Sequence, residues 1–200
     1  MDKLRIAIVC DWLTDWGGAE RVILALHKLY PEAPIYTSIY DKDHLRVFDD
    51  ADVRTSFLQK FPGAKRHHQR YITLMPAAFE SFDLSGFDIV ISSSHACAKG
   101  VITKPETLHL SYCHSPPRYL WDNSHEYIKN YPWPKWLKKF VIPGALHKLR
   151  IWDRAAADRV DRYISNSHYI SGRINKYYRR EAKVIYPPVE MDAFKKVKKE

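Results

Sequence analysis

The chain has 200 residues, a net charge of +9, 46% hydrophobic and 28% charged residues, and only 7 glycines, a balance that excludes a largely disordered or fibrous protein. Its three cysteines, Cys10, Cys97 and Cys113, show no C-x-x-C spacing, which argues against a disulfide framework or a zinc ribbon. No apolar run approaches the ~20 residues of a membrane-spanning helix, and the first, Ile6 to Cys10, is too short for a secretory leader and is followed at once by Asp11. A cytoplasmic protein is expected.

Leu4 to Cys10 reads as a short strand buried on both faces. A polar turn, Gly17-Gly18, and a helix from Ala19 to Tyr30 follow, the helix marked by Val22, Ile23, Leu26 and Leu29 and stopped by Pro31. Pro34 to Tyr40 and Asp52 to Leu58 read as strands. Gln69 to Phe82 reads as a helix that Pro76 should kink or split. Phe87 to Ser92 and Thr107 to Cys113 are strand-like. Lys135 to Asp158 is mostly helical with a break near Pro143-Gly144. Asp161 to Ser165 is a strand, Ser167 suits a helix N-cap, and Ile170 and Ile174 mark one face of the next helix. Lys183 to Tyr186 is the last strand, ended by Pro187-Pro188.

Strands alternating with helices predict an α/β fold: a Rossmann-like parallel sheet with helices on both faces. Ligands of such sheets sit beyond the carboxyl ends of the strands. The informative positions are therefore Asp11 to Gly18, Ser92 to His95, Cys113 to Trp121, and Asn166 to Ser167. Residues 1–188 read as one domain and 189–200, with four lysines among the last six residues, as the start of a linker.

Gly17-Gly18, between a strand and a helix, admits two readings. Backbone amides at a helix start bind anions, and glycine lets a ligand come close; alternatively the pair makes a tight turn needing positive φ. Glu20 in the first turn favours the helix dipole. His114 opens the segment His114 to Trp121, where a histidine at a strand end can hydrogen-bond a hydroxyl or phosphate. Arg118 could grip an anion, and Tyr119 and Trp121 are flat platforms for sugars. The bland alternative is a surface loop with a packed aromatic knot.

Lys135 to Asp153 interleaves Trp136, Phe140 and other apolar residues with Lys135, Lys138, Lys139, Lys148 and Arg150. That pattern suits either an anionic lipid surface or an amphipathic helix packed in the core. His67-His68 are adjacent and no HExxH occurs, so no metal site is expected. No nucleic-acid-binding motif accompanies the positive charge, and nucleic acid is not an expected partner. A missing GxGxxG counts against an NAD-dependent oxidoreductase.

Trp12 to Val22 (WLTDWGGAERV) and His114 to Trp121 resemble retaining glycosyltransferases of family 4, which have the two-domain GT-B architecture. Ser92 to Gly100, Arg150 to Ser167 and Val184 to Val189 match the N-terminal domain of that family in the same order. Mannosyltransferase-like members are the nearest in character. The resemblance implies transfer of a hexose, mannose by analogy, from a nucleoside diphosphate sugar to a glycan or lipid-linked acceptor, without a metal or other cofactor. It implies that Gly17 and Gly18 present amides to the donor diphosphate, that His114 contacts the reacting sugar, and that Ser94, His95, Arg118, Tyr119 and Trp121 line the acceptor cleft. The family's donor-binding domain, with its E-x7-E segment, would follow residue 200 or reside on another chain, leaving this half inactive alone. The competing expectation is a non-catalytic module that holds a lipid-linked glycan or a protein partner, at the inner membrane face or in solution.

Overall fold

The computed structural model describes residues 4–130 and 134–189. The expected linker beyond Val189, with its lysine run, lies outside the described residues.

Seven strands form one sheet: β1 (Ile6–Cys10), β2 (Ile35–Thr37), β3 (Val53–Thr55), β4 (Ile89–Ser94), β5 (Leu108–Cys113), β6 (Arg162–Ser165) and β7 (Ala182–Val184). Their order across the sheet is β3-β2-β1-β4-β5-β6-β7, and every pairing is parallel. The chain builds outward from β1 to β3, then returns to the other side of β1 to lay down β4. That reversal opens a crevice between the carboxyl ends of β1 and β4, where such sheets bind ligands. The register is direct: Cys10 pairs with Ser93, and Ser94 with Cys113.

Alternation along β1 separates two cores. Ala7 and Val9 face a cluster with Met75, Ala78 and Phe79, whereas Ile8 and Cys10 face one with Ile23, Ile35 and Phe48. Helix α1 (Gly18–Leu29) supplies Ile23; a single helical turn, α2 (Ala64–His67), and α3 (Met75–Glu80) belong to the opposite face. The other helices are α4 (Ser124–Asn130), α5 (Ile142–Asp158) and α6 (His168–Tyr178). Ile170 and Ile174 of α6 pack with Ala157 and Tyr163 in a third cluster.

Pro76 and Pro143 sit in the first turns of α3 and α5, where the missing N–H would have no partner anyway. The stretch from 69 to 82 is split, one of the two outcomes expected of Pro76: the end of a 3-10 turn (His68–Tyr71) comes first and then α3. The break expected at Pro143-Gly144 falls earlier, as a π-helical turn (Leu137–Val141) running straight into α5. The second and third predicted strands shorten to three residues each, and Phe57–Lys60 becomes a 3-10 turn capped by Ser56.

All three cysteines are free and buried. Burial pushes the Cys113 thiol up to about 12, so these are packing residues rather than nucleophiles.

Candidate functional site

The crevice is organised by one buried carboxylate. Asp11, just after β1, is 2% exposed. Its two oxygens accept hydrogen bonds from four successive backbone N–H groups of the loop after β4: His95 at 2.6 Å, Ala96 at 2.9 Å, Cys97 at 2.6 Å and Ala98 at 2.7 Å. Strand geometry brings these segments together, since Cys10 and Ser93 are register partners. Asp11 Oδ2 also lies 3.2 Å from His95 Nδ1, which fixes the ring at the floor of the crevice.

His114 follows β5, two strands from β1. Its N–H donates to the Ser94 carbonyl at 2.9 Å, and its Nε2 is hydrogen-bonded to Ser93 Oγ at 2.8 Å. Burial, with a smaller contribution from His95, lowers its pKa to about 4, against the opposing pull of Asp11. The ring is therefore neutral at pH 7, able to donate one hydrogen bond and accept another. His95 and His114 lie edge to face at 6.4 Å, and Trp12 packs between His68 at 4.4 Å and His95 at 4.6 Å.

Trp12, His95 and His114 form a partition shared by two cavities. The first, about 420 Å³, also touches Gly17, Gly18 and Glu20, with Asn166 beyond. The second, about 650 Å³, reaches Arg118, Tyr119, Ile142 and Leu146 and is mostly apolar. Both volumes fall in the range of small-molecule sites.

Neither glycine of the pair has positive φ; among the described glycines only Gly63 does. The tight-turn reading of Gly17-Gly18 is thereby corrected. Gly17 is the extended N-cap of α1, and a β-carbon there would meet Glu20 Oε2 at 3.0 Å. A β-carbon on Gly18 would meet nothing within 4 Å. No contact inside the chain requires a glycine at 18. Glu20 is itself buried, and burial raises its pKa against the pull of the backbone amides of Glu20 and Gly17.

A model of Glycosyltransferase Family 4 matches residues 16–193, most of the chain. The chain belongs to glycosyltransferase family 4. No curated protein matches it significantly. As a family 4 domain it is built for a sugar donor and an acceptor, and parallel sheets of this kind bind ligands in such a crevice.

Two residues expected in the family 4 cleft are placed elsewhere. Ser94 is buried in β4 and lines neither cavity; its neighbour Ser93 is the serine that holds His114. Strand alternation makes this difference, since adjacent residues face opposite sides of the sheet. Trp121 is drawn into the interior. Its indole N–H donates to Asp153 Oδ2 at 2.8 Å, and its ring stacks on Tyr177 at 4.9 Å. Ser167 caps α6, accepting from the Ile170 N–H, while Asn166 lines the first cavity and donates to the His114 carbonyl at 3.3 Å.

Sequence reasoning missed Asp11 as the organising residue. Asp153 is a second such residue. Asp153 is fully buried, paired with Lys99 and hydrogen-bonded by Trp121 and by Tyr178 at 3.0 Å. Its position in the buried face Leu146, Leu149, Asp153, Ala156, Ala157 was the available signal. Among the described residues no three His, Cys, Asp or Glu side chains are grouped to hold a metal ion, and no helix is long and apolar enough to cross a membrane.

Proposed function

We propose that the chain is the acceptor-side half of a retaining hexosyltransferase of GT-B architecture, using a nucleoside diphosphate sugar. The observation that carries this reading is the shared partition: one cavity ends on a helix N-terminus and the other is largely apolar, with His95 and a neutral His114 between them.

In this reading the donor diphosphate lies in the smaller cavity, against the amides of Gly17 and Gly18 and the positive end of the α1 dipole. These groups stabilise the charge that develops on the leaving diphosphate as the anomeric bond breaks. His114 hydrogen-bonds a hydroxyl of the transferred sugar or of the acceptor and needs no proton from solvent to do so. The acceptor oxygen bonds to the anomeric carbon on the face the phosphate leaves, and the departing phosphate oxygen takes the acceptor's proton, so the configuration is retained. Arg118 and Tyr119 belong to the acceptor side. A second domain supplies the rest of the nucleotide site, and no metal takes part. Mannose and guanosine diphosphate are the sugar and nucleotide we would try first, on resemblance to mannosyltransferase-like members.

The test is titration of the chain with GDP, UDP and GDP-mannose, read by amide resonances and by calorimetry. We expect the Gly17 and Gly18 amides to shift, with affinity weaker than ~1 mM, about 4 kcal/mol. Silent amides would remove the diphosphate assignment. Micromolar, base-selective binding would make this domain the donor site and end the acceptor-side assignment.

A further inference from the structure

The larger cavity has features that sugar transfer alone does not require. Most of its walls come from segments off the sheet: the stretch from Gln69 to Thr73, the loop from Ser115 to Tyr119, helix α4, and the π-turn running into α5. Ile72, Ile128, Leu137, Ile142, Leu146 and Leu149 make it apolar, and all six also belong to or pack against one hydrophobic cluster with Leu120. A glycan would leave those walls without partners and its own hydroxyls without acceptors. The charged side chains that line it are Arg70 and Arg118, both exposed and both positive; no carboxylate lines the cavity.

The outer edge repeats that chemistry. Leu137 and Val141 line the cavity, while between them Phe140 is 71% exposed beside Lys138 and Lys139. Trp136, 60% exposed, precedes the same turn next to Lys135. Apolar side chains that project among lysines suit an interface between hydrocarbon and anionic head groups.

We propose that this cavity binds a hydrocarbon chain bearing a phosphate or diphosphate, so that the acceptor is an anionic amphiphile. The chain lies along α5 and the π-turn, and the phosphate is held by Arg70 and Arg118. The acceptor hydroxyl is carried beyond the phosphate to the His95–His114 partition. The inference rests on reading the crevice as a glycosyl-transfer site, and it selects a lipid-linked acceptor over a water-soluble one.

The probes are butyl, hexyl and octyl phosphate, inorganic phosphate, and neutral octyl glucoside, each titrated below its micelle threshold into the 200-residue chain. A fully buried methylene is worth about 0.8 kcal/mol, a factor of about four. We therefore expect octyl phosphate to bind at least ~30-fold more tightly than butyl phosphate, allowing for incomplete burial. Amide shifts should map to residues 69–73 and 137–149 in the wild type. Octyl glucoside should bind at least ~10-fold more weakly than octyl phosphate, a preference lost in the Arg70→Ser, Arg118→Ser double variant. Ala145→Phe, which fills the cavity from α5, should abolish the dependence on chain length while the variant melts cooperatively. The wild-type shift map does not depend on that variant folding. Affinity independent of chain length, inorganic phosphate matching octyl phosphate, or shifts elsewhere would overturn the proposal. So would binding to phosphatidylglycerol vesicles that Ala145→Phe leaves intact with no response to free alkyl phosphates, since the turn would then be a surface dock. The Gly17 and Gly18 amide response to nucleotide is independent of all these probes. Its loss with alkyl binding retained would strike the transfer reading and leave the amphiphile site standing.

Discussion

At the scale of single residues, Asp11 decides the geometry of the crevice. Four N–H groups converge on one carboxylate that is almost wholly out of water. Hydrogen bonds to a charged acceptor contribute more than neutral ones, and removing the acceptor leaves buried donors unsatisfied. Asp11→Ala should destabilise the domain by about 3 kcal/mol or more, because the loop from His95 to Ala98 loses its acceptor. Urea denaturation checks this, and a loss under ~1 kcal/mol would show that the loop finds other partners. Nothing in the sequence marks Asp11 for this role. A lone aspartate after a strand reads the same whether solvated or buried, and its partners are backbone amides 84 to 87 residues away. Asp153 does lie on the apolar face of α5, but its partners Lys99 and Trp121 reach it from distant segments and cannot be read from spacing. His114 could be singled out because a histidine directly after an apolar strand run lands at the ligand-binding edge whatever its partners.

At the scale of elements, strands and their carboxyl ends were legible, because a parallel sheet buried on both faces demands continuous apolar runs. Less legible were the places where the chain turns. Pro76 and Pro143 sit in the first turns of new helices, and a π-turn cannot be told from α-helix by spacing alone. The start of α1 was legible in position but not in cause. Gly18 is required neither by φ nor by packing, so its lack of a side chain can serve only what approaches from outside. Alanine in a helix is favoured over glycine by roughly 0.5–1 kcal/mol. Gly18→Ala should therefore leave stability unchanged or raise it by about that amount. The same change should weaken the nucleotide response of the α1 amides, because the new methyl group stands where the phosphate would approach. Thermal melts and amide titrations of one variant separate the two effects. A destabilised Gly18→Ala, or one with an undiminished nucleotide response, would mean that the glycine is there for another reason.

For the molecule as a whole, burial of imidazoles in the sheet and crevice links stability to pH. His109 in β5 is 0% exposed, with Nε2 hydrogen-bonded to Ser92 Oγ at 2.9 Å and Nδ1 without a partner. Burial lowers its pKa to about 4, and His114 behaves alike for the same main cause. In the unfolded chain both titrate near their ordinary value of about 6.5. Between about 6.5 and 4 the unfolded state therefore binds more protons than the folded one, and stability falls as pH falls. Above that window the contribution is complete; for His109 the full effect is roughly 3 kcal/mol. Glu20 works in the opposite sense. Its raised pKa means that the folded state takes up a proton first on acidification, which offsets part of the loss. Two deeply buried histidines against one carboxyl leave a net decline. The denaturation midpoint should be flat from pH 8 to about 7 and drop steadily towards pH 4. His109→Gln keeps a partner for Ser92 but cannot titrate, so it should reduce the slope below pH 6.5 by up to one proton's worth, about 1.4 kcal/mol per pH unit. A slope unaltered by that substitution would place the acid sensitivity in the crevice, at His114 and His68, whose pKa values burial also lowers.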